Sequence, residues 1–471
     1  MVKVAIVQRN LNENLAAMQL SACLKAAGHE VDCFIEAEEK DLVSAVKAYG
    51  ADIIGFTAIS GMHNWCVETA TKLKNADNLL IFGGPHPTFF PDILEEDALD
   101  AICIGEGEGA LLELADAYPD INAIKKISNL HVKAGGKVHK NPIRPLIEDL
   151  DTLPYPDRDL VYKYPSLARN SRKTIMCSRG CPYSCTFCFN SAYRKLYGGH
   201  GKAIRYRSAE NIIGEILDIK ERYGMKSVYF QDDTLIVDHA WMLDFLGKYK
   251  ERVGLPFTCL LRADLVEEKI VAALKDAGCV AVHFGIESGN ERIRNEILKK
   301  GVTDEEIKTT ARLLKEHGIR FKTYNMLQLP HESIDEAFQT LEMNSMIGTD
   351  YPWASILLPY PKTELTEYMM CHGLISKEYD VDDLSSSFFN PKKPSKEEWP
   401  FVNLQRLFFY GVKFPFLLPV IKRAIKLPPN PIFDILFFIS HAYNYSGSEN
   451  MSIPDVIYFG LKAVRTSFYG D

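Results

Sequence analysis

The sequence predicts an α/β protein in three parts. A doubly wound, Rossmann-like parallel sheet comes first, then a partial (β/α)6 barrel, then a mainly helical C-terminal region. Two observations carry this. Short β-branched runs alternate with stretches of helical period from residue 2 to about 140, and again from about 171 to 360. A proline-rich stretch separates the two series, and a strongly apolar, aromatic run follows the second.

At 471 residues the chain exceeds one ordinary core. A hydrophobic fraction of 46% and a charged fraction of 25% are those of a globular protein in water. The net charge of −8 argues against nucleic-acid binding, which needs a basic face. Eleven cysteines are too few for a disulfide scaffold. The run Val2–Val7 is too short for a signal peptide, and no run reaches the roughly 18 apolar residues of a bilayer span. These points predict a cytoplasmic protein in a reducing compartment.

In the first series, strands are expected at Val2–Val7, Val31–Ile35, Asp52–Thr57, Leu79–Phe82 and Ala101–Ile104, with helices at Asn12–Ala27, Asp41–Tyr49 and Trp65–Lys74. Parallel sheets bind ligands beyond the carboxyl ends of their strands. Glycines that let backbone approach a ligand sit there: Gly83-Gly84 and Gly105-Glu106-Gly107. With Thr57, Ser60, His63, His86 and Thr88 they form the candidate ligand edge, although turn chemistry alone accounts for either glycine pair. No G-x-G-x-x-G follows the first strand, so a dinucleotide is not expected.

Residues 141–170 hold prolines and the acidic run Glu148–Asp151, and read as a linker. Lys173–Met176 is a strand that runs into Cys181-Pro-Tyr-Ser-Cys185-Thr-Phe-Cys188. Three thiols within eight residues suit an iron–sulfur cluster with one iron left open. A structural zinc site usually wants a second pair, which is absent. Cys177 reads as strand packing. Further strands are expected at Lys226–Gln231, Phe257–Leu261, Val280–Ile286, Arg320–Leu327 and Trp353–Leu358. Active residues belong at their carboxyl ends. Those are Asp232 and Asp233, Arg262, Glu287 with Ser288, the stretch Gln328–Ser333, and Tyr360. Asp233 reads equally as a helix cap. Arg262 reads equally as a carboxylate fork or as a surface partner of Asp264. Lys300 reads as a solvated lysine.

The C-x₃-C-x₂-C loop together with Gly285-Ile-Glu287-Ser288-Gly289 resembles the radical S-adenosylmethionine (SAM) superfamily. The run Gly83-Gly-Pro-His86-Pro-Thr88, followed by Asp100-Ala-Ile-Cys-Ile-Gly105-Glu106-Gly107-Glu108, looks like the cobalamin-binding domain that precedes many of its barrels. The resemblance implies a cobalamin domain over 1–140, a radical SAM core over 171–365 and a cap over 366–471. It implies a 4Fe–4S cluster on Cys181, Cys185 and Cys188, with SAM on its open iron. Phe187 would lie against adenine, Asp232 or Asp233 hold the amine, Arg262 the carboxylate and Glu287 the ribose. Tyr360 and Asp233 would serve the substrate. The cluster would cleave SAM to a 5′-deoxyadenosyl radical that takes hydrogen from substrate, and methylcobalamin would deliver a methyl group to an unactivated carbon. The corrinoid would lie on the glycine edge. The D-x-H-x-x-G signature is absent, so His63 and His86 are assigned either to hydrogen bonds with the corrinoid or to loop packing. Two departures stand out. Gln328 and His331 replace glycines of G-x-P-G-E-[ST], and Lys362 replaces the glycine of P-Y-P-G-T. A flavodoxin- or ferredoxin-type electron donor is implied.

The apolar run Leu404–Ile425, the stretch Phe433–Ile439 and the basic Lys422, Arg423 and Lys426 admit three readings: a lid over an apolar substrate such as a lipid or tetrapyrrole, a peripheral membrane contact, or helices packed on the barrel. The resemblance also admits a non-methylating cobalamin enzyme, such as an oxidative cyclase, and a sensor without turnover.

Overall fold

The computed structural model describes residues 1–385, 394–451, 454–458, 460 and 462. It divides into two compact units. Unit 1 takes Met1–Asn170, Leu196–Lys202 and the described residues from Tyr458 on; unit 2 takes Ser171–Lys195 and Ala203–Ile457.

Unit 1 alternates β1 (Lys3–Gln8), α1 (Leu15–Ala26), β2 (Glu30–Ile35), α2 (Leu42–Tyr49), β3 (Ile53–Thr57), α3 (His63–Leu73), β4 (Leu79–Gly83), α4 (Pro85–Phe89), β5 (Ala101–Cys103) and α5 (Glu108–Ala117). The order β2-β1-β3-β4-β5 is parallel throughout, as the uniformly apolar strands demand. The helix ends follow local chemistry. Asn14 and Asp41 cap α1 and α2 through their side chains, and Gly50 ends α2 in the left-handed region at φ 67°.

Two parts of unit 1 differ from the sequence expectation. After the short α6 (Ile121–Ile124), β6 (Leu130–Ala134) and β7 (Lys137–Lys140) extend the sheet antiparallel. Gly135 and Gly136, both at positive φ, make their turn. The expected linker is also not a free tether. It contains α7 (Asp159–Tyr162) and α8 (Pro165–Ala168), and Leu160, Val161, Tyr164 and Leu167 are buried. Tyr164 Oη donates to the Cys33 carbonyl at 3.0 Å, and Lys25 pairs with Asp157 at 2.7 Å. Burying these four side chains favours a packed segment over a free tether, and the prolines lower the entropy lost in ordering it.

Unit 2 begins with β8 (Arg172–Ile175) and a two-residue ladder between β9 (Ser178–Arg179) and β10 (Arg205–Tyr206), with α9 (Phe189–Leu196) between them. Then come α10 (Ala209–Tyr223), β11 (Ser227–Phe230), α11 (His239–Arg252), β12 (Phe257–Leu261), α12 (Glu268–Asp276), β13 (Cys279–Glu287), α13 (Asp304–Glu316), β14 (Arg320–Leu327), α14 (Ile334–Met346), β15 (Tyr351–Ile356) and α15 (Glu364–Cys371). The six long strands are parallel in the order β15-β14-β13-β12-β11-β8, an open, partial barrel.

The C-terminal region is helical: α16 (Trp399–Lys413), α17 (Leu418–Ala424) and α18 (Pro431–Ser448). Leu404, Leu407 and Phe408 of α16 bury against Leu341 of α14 and Ile356 of β15, so this stretch packs on the barrel and is not a detached lid. A proline- and lysine-rich loop is expected from the sequence over Phe388–Trp399, and its first half, 388–393, lies outside the described residues. Just past α18, Glu449 enters the sheet's polar interior. It pairs with Arg172 at 2.8 Å and Lys322 at 3.4 Å and lies 4.0 Å from His283. Burial holds His283 down at about 4.

Candidate functional site

The three-thiol loop leaves the carboxyl end of β8, the first barrel strand, and is clamped from several sides. Gly180 sits at φ 90°, and a Cβ there would lie 2.1 Å from the Ala203 carbonyl oxygen, so only glycine fits. Asp232, at the end of β11, accepts from the backbone N–H of Cys177 at 3.0 Å and of Ser178 at 2.6 Å, and from the Ser178 hydroxyl at 2.6 Å. Between the second and third cysteines, Thr186 donates its N–H to the Leu298 carbonyl at 3.0 Å and its hydroxyl to the Ile297 carbonyl at 2.9 Å. Arg194 of α9 grips the Pro182 carbonyl and the Ser184 hydroxyl.

Cys181 and Cys185 are buried and Cys188 half-buried; all are free thiols. Burial raises Cys181 and pushes Cys188 up to about 11, and each of the two is raised further by the charges of its neighbouring cysteines. Such thiols need a metal to stay ionised. Three soft thiols on one short loop are a donor set that fits an iron–sulfur cluster. Cys177 is fully buried in the barrel core, as its strand reading expects.

Several assignments need correction. Asp232 does not present its carboxylate to a ligand. It is 1% exposed, its oxygens are engaged by the loop backbone, and burial outweighs those bonds to push it up to about 6. Arg262 does not offer a free fork. It clasps Asp264 at 3.0 and 3.2 Å, donates to the Lys300 carbonyl at 2.7 Å, and lies 3.5 Å over the Tyr183 ring. Its Nη1 donates to Cys185 Sγ at 3.6 Å. The surface-pair alternative was right in partner and wrong in place, because Arg262 is buried. Ser288 is fully buried, and its hydroxyl accepts from the Asn290 N–H at 3.2 Å as a turn cap. Lys300 is not solvated. It is buried, and its Nζ donates to Glu287 Oε1 at 2.9 Å.

Four further expected groups stand on this edge. Asp233 reaches solvent yet is densely surrounded; burial raises its carboxyl, and the Asn190 side chain hydrogen-bonds it. Its charge also reaches Cys181 and Cys188. Glu287 stands at φ 66° where β13 breaks register, and Gly285 leaves room for its carboxylate, since a Cβ there would lie 1.9 Å from Oε1. Phe187 packs on the apolar group of Ile293, Leu298, Leu329, Leu357 and Leu365. Tyr360 is half-buried, packs edge-on to Phe189 at 5.8 Å, and is raised by burial.

One candidate was passed over in the sequence. Glu332 accepts from the Leu329 N–H at 3.1 Å through Oε2, while its buried Oε1 has no hydrogen-bond partner among the described residues. Burial pushes it up to about 7. The signal was present: this glutamate belongs to the Pro330-His331-Glu332-Ser333 stretch, where attention fell on the missing glycines.

In unit 1, Thr57, Ser60, Gly83, Gly84 and Gly105–Gly107 are all part-exposed at the carboxyl ends of β3, β4 and β5. Gly84, at φ 99°, lies so close to Ala58 that a Cβ would meet its carbonyl oxygen at 3.0 Å. Thr88 donates to the Gly84 carbonyl at 2.8 Å and accepts from the Gly105 N–H at 3.1 Å, tying the two glycine loops together. A glycine-rich edge of this kind fits a flat group laid in part on backbone. The histidines are not on it. His63 and His86 stack at 4.2 Å, His86 stacks on Phe90 at 5.2 Å, and both are buried. In this structure both histidines pack within the loops, with His86 Nδ1 3.1 Å from the Ser60 hydroxyl. Glu106 is also taken up locally: its Oε2 accepts from the Ile147 N–H at 2.9 Å and its N–H donates to Tyr197 Oη at 3.0 Å.

Comparison with known proteins matches both halves. The radical SAM superfamily model matches residues 175–343, and the B12 binding domain model matches residues 2–115. An uncharacterised methyltransferase of Pyrococcus horikoshii is 33% identical over 344 residues, 71% of this chain and 73% of that one. The anaerobic magnesium-protoporphyrin IX monomethyl ester cyclase of Rubrivivax gelatinosus is 27% identical over 371 residues, 74% of this chain and 64% of that one. Among solved structures, the cobalamin-dependent S-adenosylmethionine radical enzyme OxsB aligns with all of this chain and 76% of its own at a TM-score of 0.67 and 18% identity, a likeness of fold.

Proposed function

The chain belongs to the radical SAM superfamily, in its branch with an N-terminal B12-binding domain, and from that premise we propose that it is a cobalamin-dependent radical SAM methyltransferase acting on an unactivated carbon of an apolar or bulky substrate. The observation that carries the reading is the clamped three-thiol loop at the carboxyl end of the first barrel strand, in a chain whose other unit presents a glycine-lined edge. When bound, the cluster, SAM and cobalamin supply the electron, the radical and the methyl group.

The chain's own residues bind, orient and handle protons. Cys181, Cys185 and Cys188 hold the cluster. Asp233, raised yet open, suits a cationic amine near the thiols. Glu287 keeps Oε2 for hydroxyl donors while Lys300 steadies Oε1. Phe187 and its apolar neighbours exclude water from a flat ring. Glu332, near 7, can hold or release a proton at Oε1 at neutral pH. Tyr360, half-buried and edge-on to Phe189, offers a phenol suited to a bulky substrate. Thr57, Gly83, Gly84, Thr88, Gly105 and Gly107 support the corrinoid through backbone. We assign 1–140 to the corrinoid, 171–365 to the radical chemistry and 366–471 to a cap. A flavodoxin- or ferredoxin-type donor, a cytoplasmic location and a peripheral membrane contact complete the reading.

The test is anaerobic turnover of the cluster-loaded protein with SAM, cobalamin and either tetrapyrroles or lipids, read by product mass. A gain of one methylene supports methyl transfer. The second reading, an oxidative cyclase, is favoured by the 27% identical cyclase, and predicts loss of hydrogen without added carbon. Formation of 5′-deoxyadenosine, abolished in Cys185→Ala, separates both from a sensor.

A further inference from the structure

Nine of the seventeen large apolar side chains exposed among the described residues fall between Phe414 and Tyr443. Within that segment, α18 is turned inside out. Its buried face carries Phe437, Ser440, Asn444 and Ser448. Its exposed face carries Ile432, Ile435, Ile439 and Tyr443, at spacings that form one continuous stripe. Ile432 is 67% exposed and Ile439 58%, while Ser448 is fully buried. An amphipathic helix packed in water does the reverse. The buried polar groups are not accidents, since Asn444 Nδ2 donates to the Pro352 carbonyl at 2.7 Å and the Ser440 hydroxyl to the Phe437 carbonyl at 2.8 Å. The orientation is therefore fixed, and the aliphatic stripe faces outward by construction.

The charge around the stripe is equally one-sided. Lys422, Arg423 and Lys426, just before α18, are exposed. The segment's one acidic residue, Asp434, is paired with Arg406 at 2.9 Å. This cationic rim belongs to a chain whose net charge is −8. Phe416, 77% exposed, and Val420, 62% exposed, add apolar side chains from the neighbouring turn. Among the described residues no helix is long and apolar enough to cross a membrane.

We propose that the 414–443 surface docks on an anionic lipid bilayer, with the Ile432–Tyr443 stripe and Phe416 entering the interface and Lys422, Arg423 and Lys426 meeting the headgroups. Outward aliphatic residues beside exposed cations are the composition of an interfacial helix. A second copy suits the surface poorly, because a two-fold contact across the stripe would bring the cationic rims together. The proposal deepens the peripheral contact named above and does not rest on methyl transfer.

The experiment is flotation of the full, cluster-loaded chain with vesicles, scored without turnover. Vesicles of phosphatidylglycerol and phosphatidylcholine in equal parts are compared with phosphatidylcholine alone. The expected result is co-flotation with the anionic vesicles, weakened by salt. A triple Ile432→Ser, Ile435→Ser, Ile439→Ser variant should lose roughly tenfold or more in binding while melting like the parent, because all three residues are exposed. A Lys422→Glu, Arg423→Glu variant should lose the preference for anionic lipid. No flotation with either vesicle overturns the proposal. So does a concentration-dependent dimer, dissociated by the triple variant, with no vesicle binding. Methyl transfer stands or falls separately in either case.

Discussion

Arg262 separates two accounts of the barrel's edge. If its guanidinium held the carboxylate of SAM, its loss would weaken SAM binding. The structure instead gives it the carboxylate of Asp264, the Lys300 carbonyl, the face of Tyr183 and the sulfur of Cys185. Arg262→Met removes all of these and leaves a poorly solvated Asp264 unpaired, at a cost of about 3–5 kcal/mol. With roughly 2–4 °C per kcal/mol for domains of this size, the melting temperature should fall by roughly 10 °C. Arg262→Lys keeps the charge but loses the fork and the stacked plane, for about 1–2 kcal/mol. It also removes the N–H···S contact. Hydrogen bonds to ligand sulfurs stabilise the reduced, more negative cluster. The reconstituted Lys variant should therefore titrate at a lower potential by electron paramagnetic resonance and retain less iron, with KM for SAM near the parent's per loaded site. An unchanged potential and iron content with a manyfold higher KM would refute the reasoning and return Arg262 to the SAM carboxylate.

Burial holds His283 and His441 near 4, against an ordinary value near 6.5. The unfolded chain takes these protons first, so their contribution is complete above pH 6.5 and is lost as pH falls to 4, by about 3 kcal/mol each. A His283→Gln, His441→Gln variant should thus gain on the parent over that window. The difference in denaturant midpoints measures it, since Asp232 and Glu332 titrate in both; parallel profiles would show that the histidines are not held neutral. Gly105→Ala puts a Cβ 1.9 Å from Tyr197 Oη at φ 77°, so cobalamin retention, read from the corrinoid absorbance, should fall and adding Tyr197→Ala should recover part of the lost stability. Glu287→Ala strands the buried Lys300 ammonium and should cost about 3–5 kcal/mol, whereas adding Lys300→Met should relieve much of it; additive effects in that cycle would mean the pair is not coupled.

The sequence made the two series of strands readable because parallel strands are apolar on both faces, and Phe257–Leu261 and Arg320–Leu327 stand where the β-branched runs end. The thiol loop was readable because its three cysteines lie within one short segment. The β6–β7 hairpin was missed: its glycine turn stood in plain view, but its strands are short and half-polar, too weak a pattern to set against the stronger series before it. Partners were the harder problem. Asp232 serves Cys177 and Ser178 more than fifty positions away, and Arg262 serves Lys300 and Cys185. A motif names the residue type a site uses, but burial and register decide which neighbour claims its hydrogen bonds. Lys300 shows the same limit, since a lone lysine reads as solvated until a left-handed Glu287 turns its carboxylate toward it.

Backbone strain completes the case for where this chain works. Among the described residues, seven non-glycine residues have positive φ, and five of them, Glu287, Lys299, Gln328, His331 and Lys362, lie at the end of β13 or on the loops that follow β13, β14 and β15. Each costs about 1–2 kcal/mol relative to glycine. At Gln328, His331 and Lys362, where the pattern the sequence resembles has glycine, this chain carries a side chain on left-handed backbone. Those side chains are engaged. Gln328 Nε2 donates to Glu398 Oε1 at 2.9 Å, and His331 packs edge-on to Tyr368 and His372, each at 5.9 Å. Strain scattered at random would say little. Strain gathered on the carboxyl edge of one sheet, where the thiol loop also stands, marks the edge at which side-chain identity matters more than backbone ease.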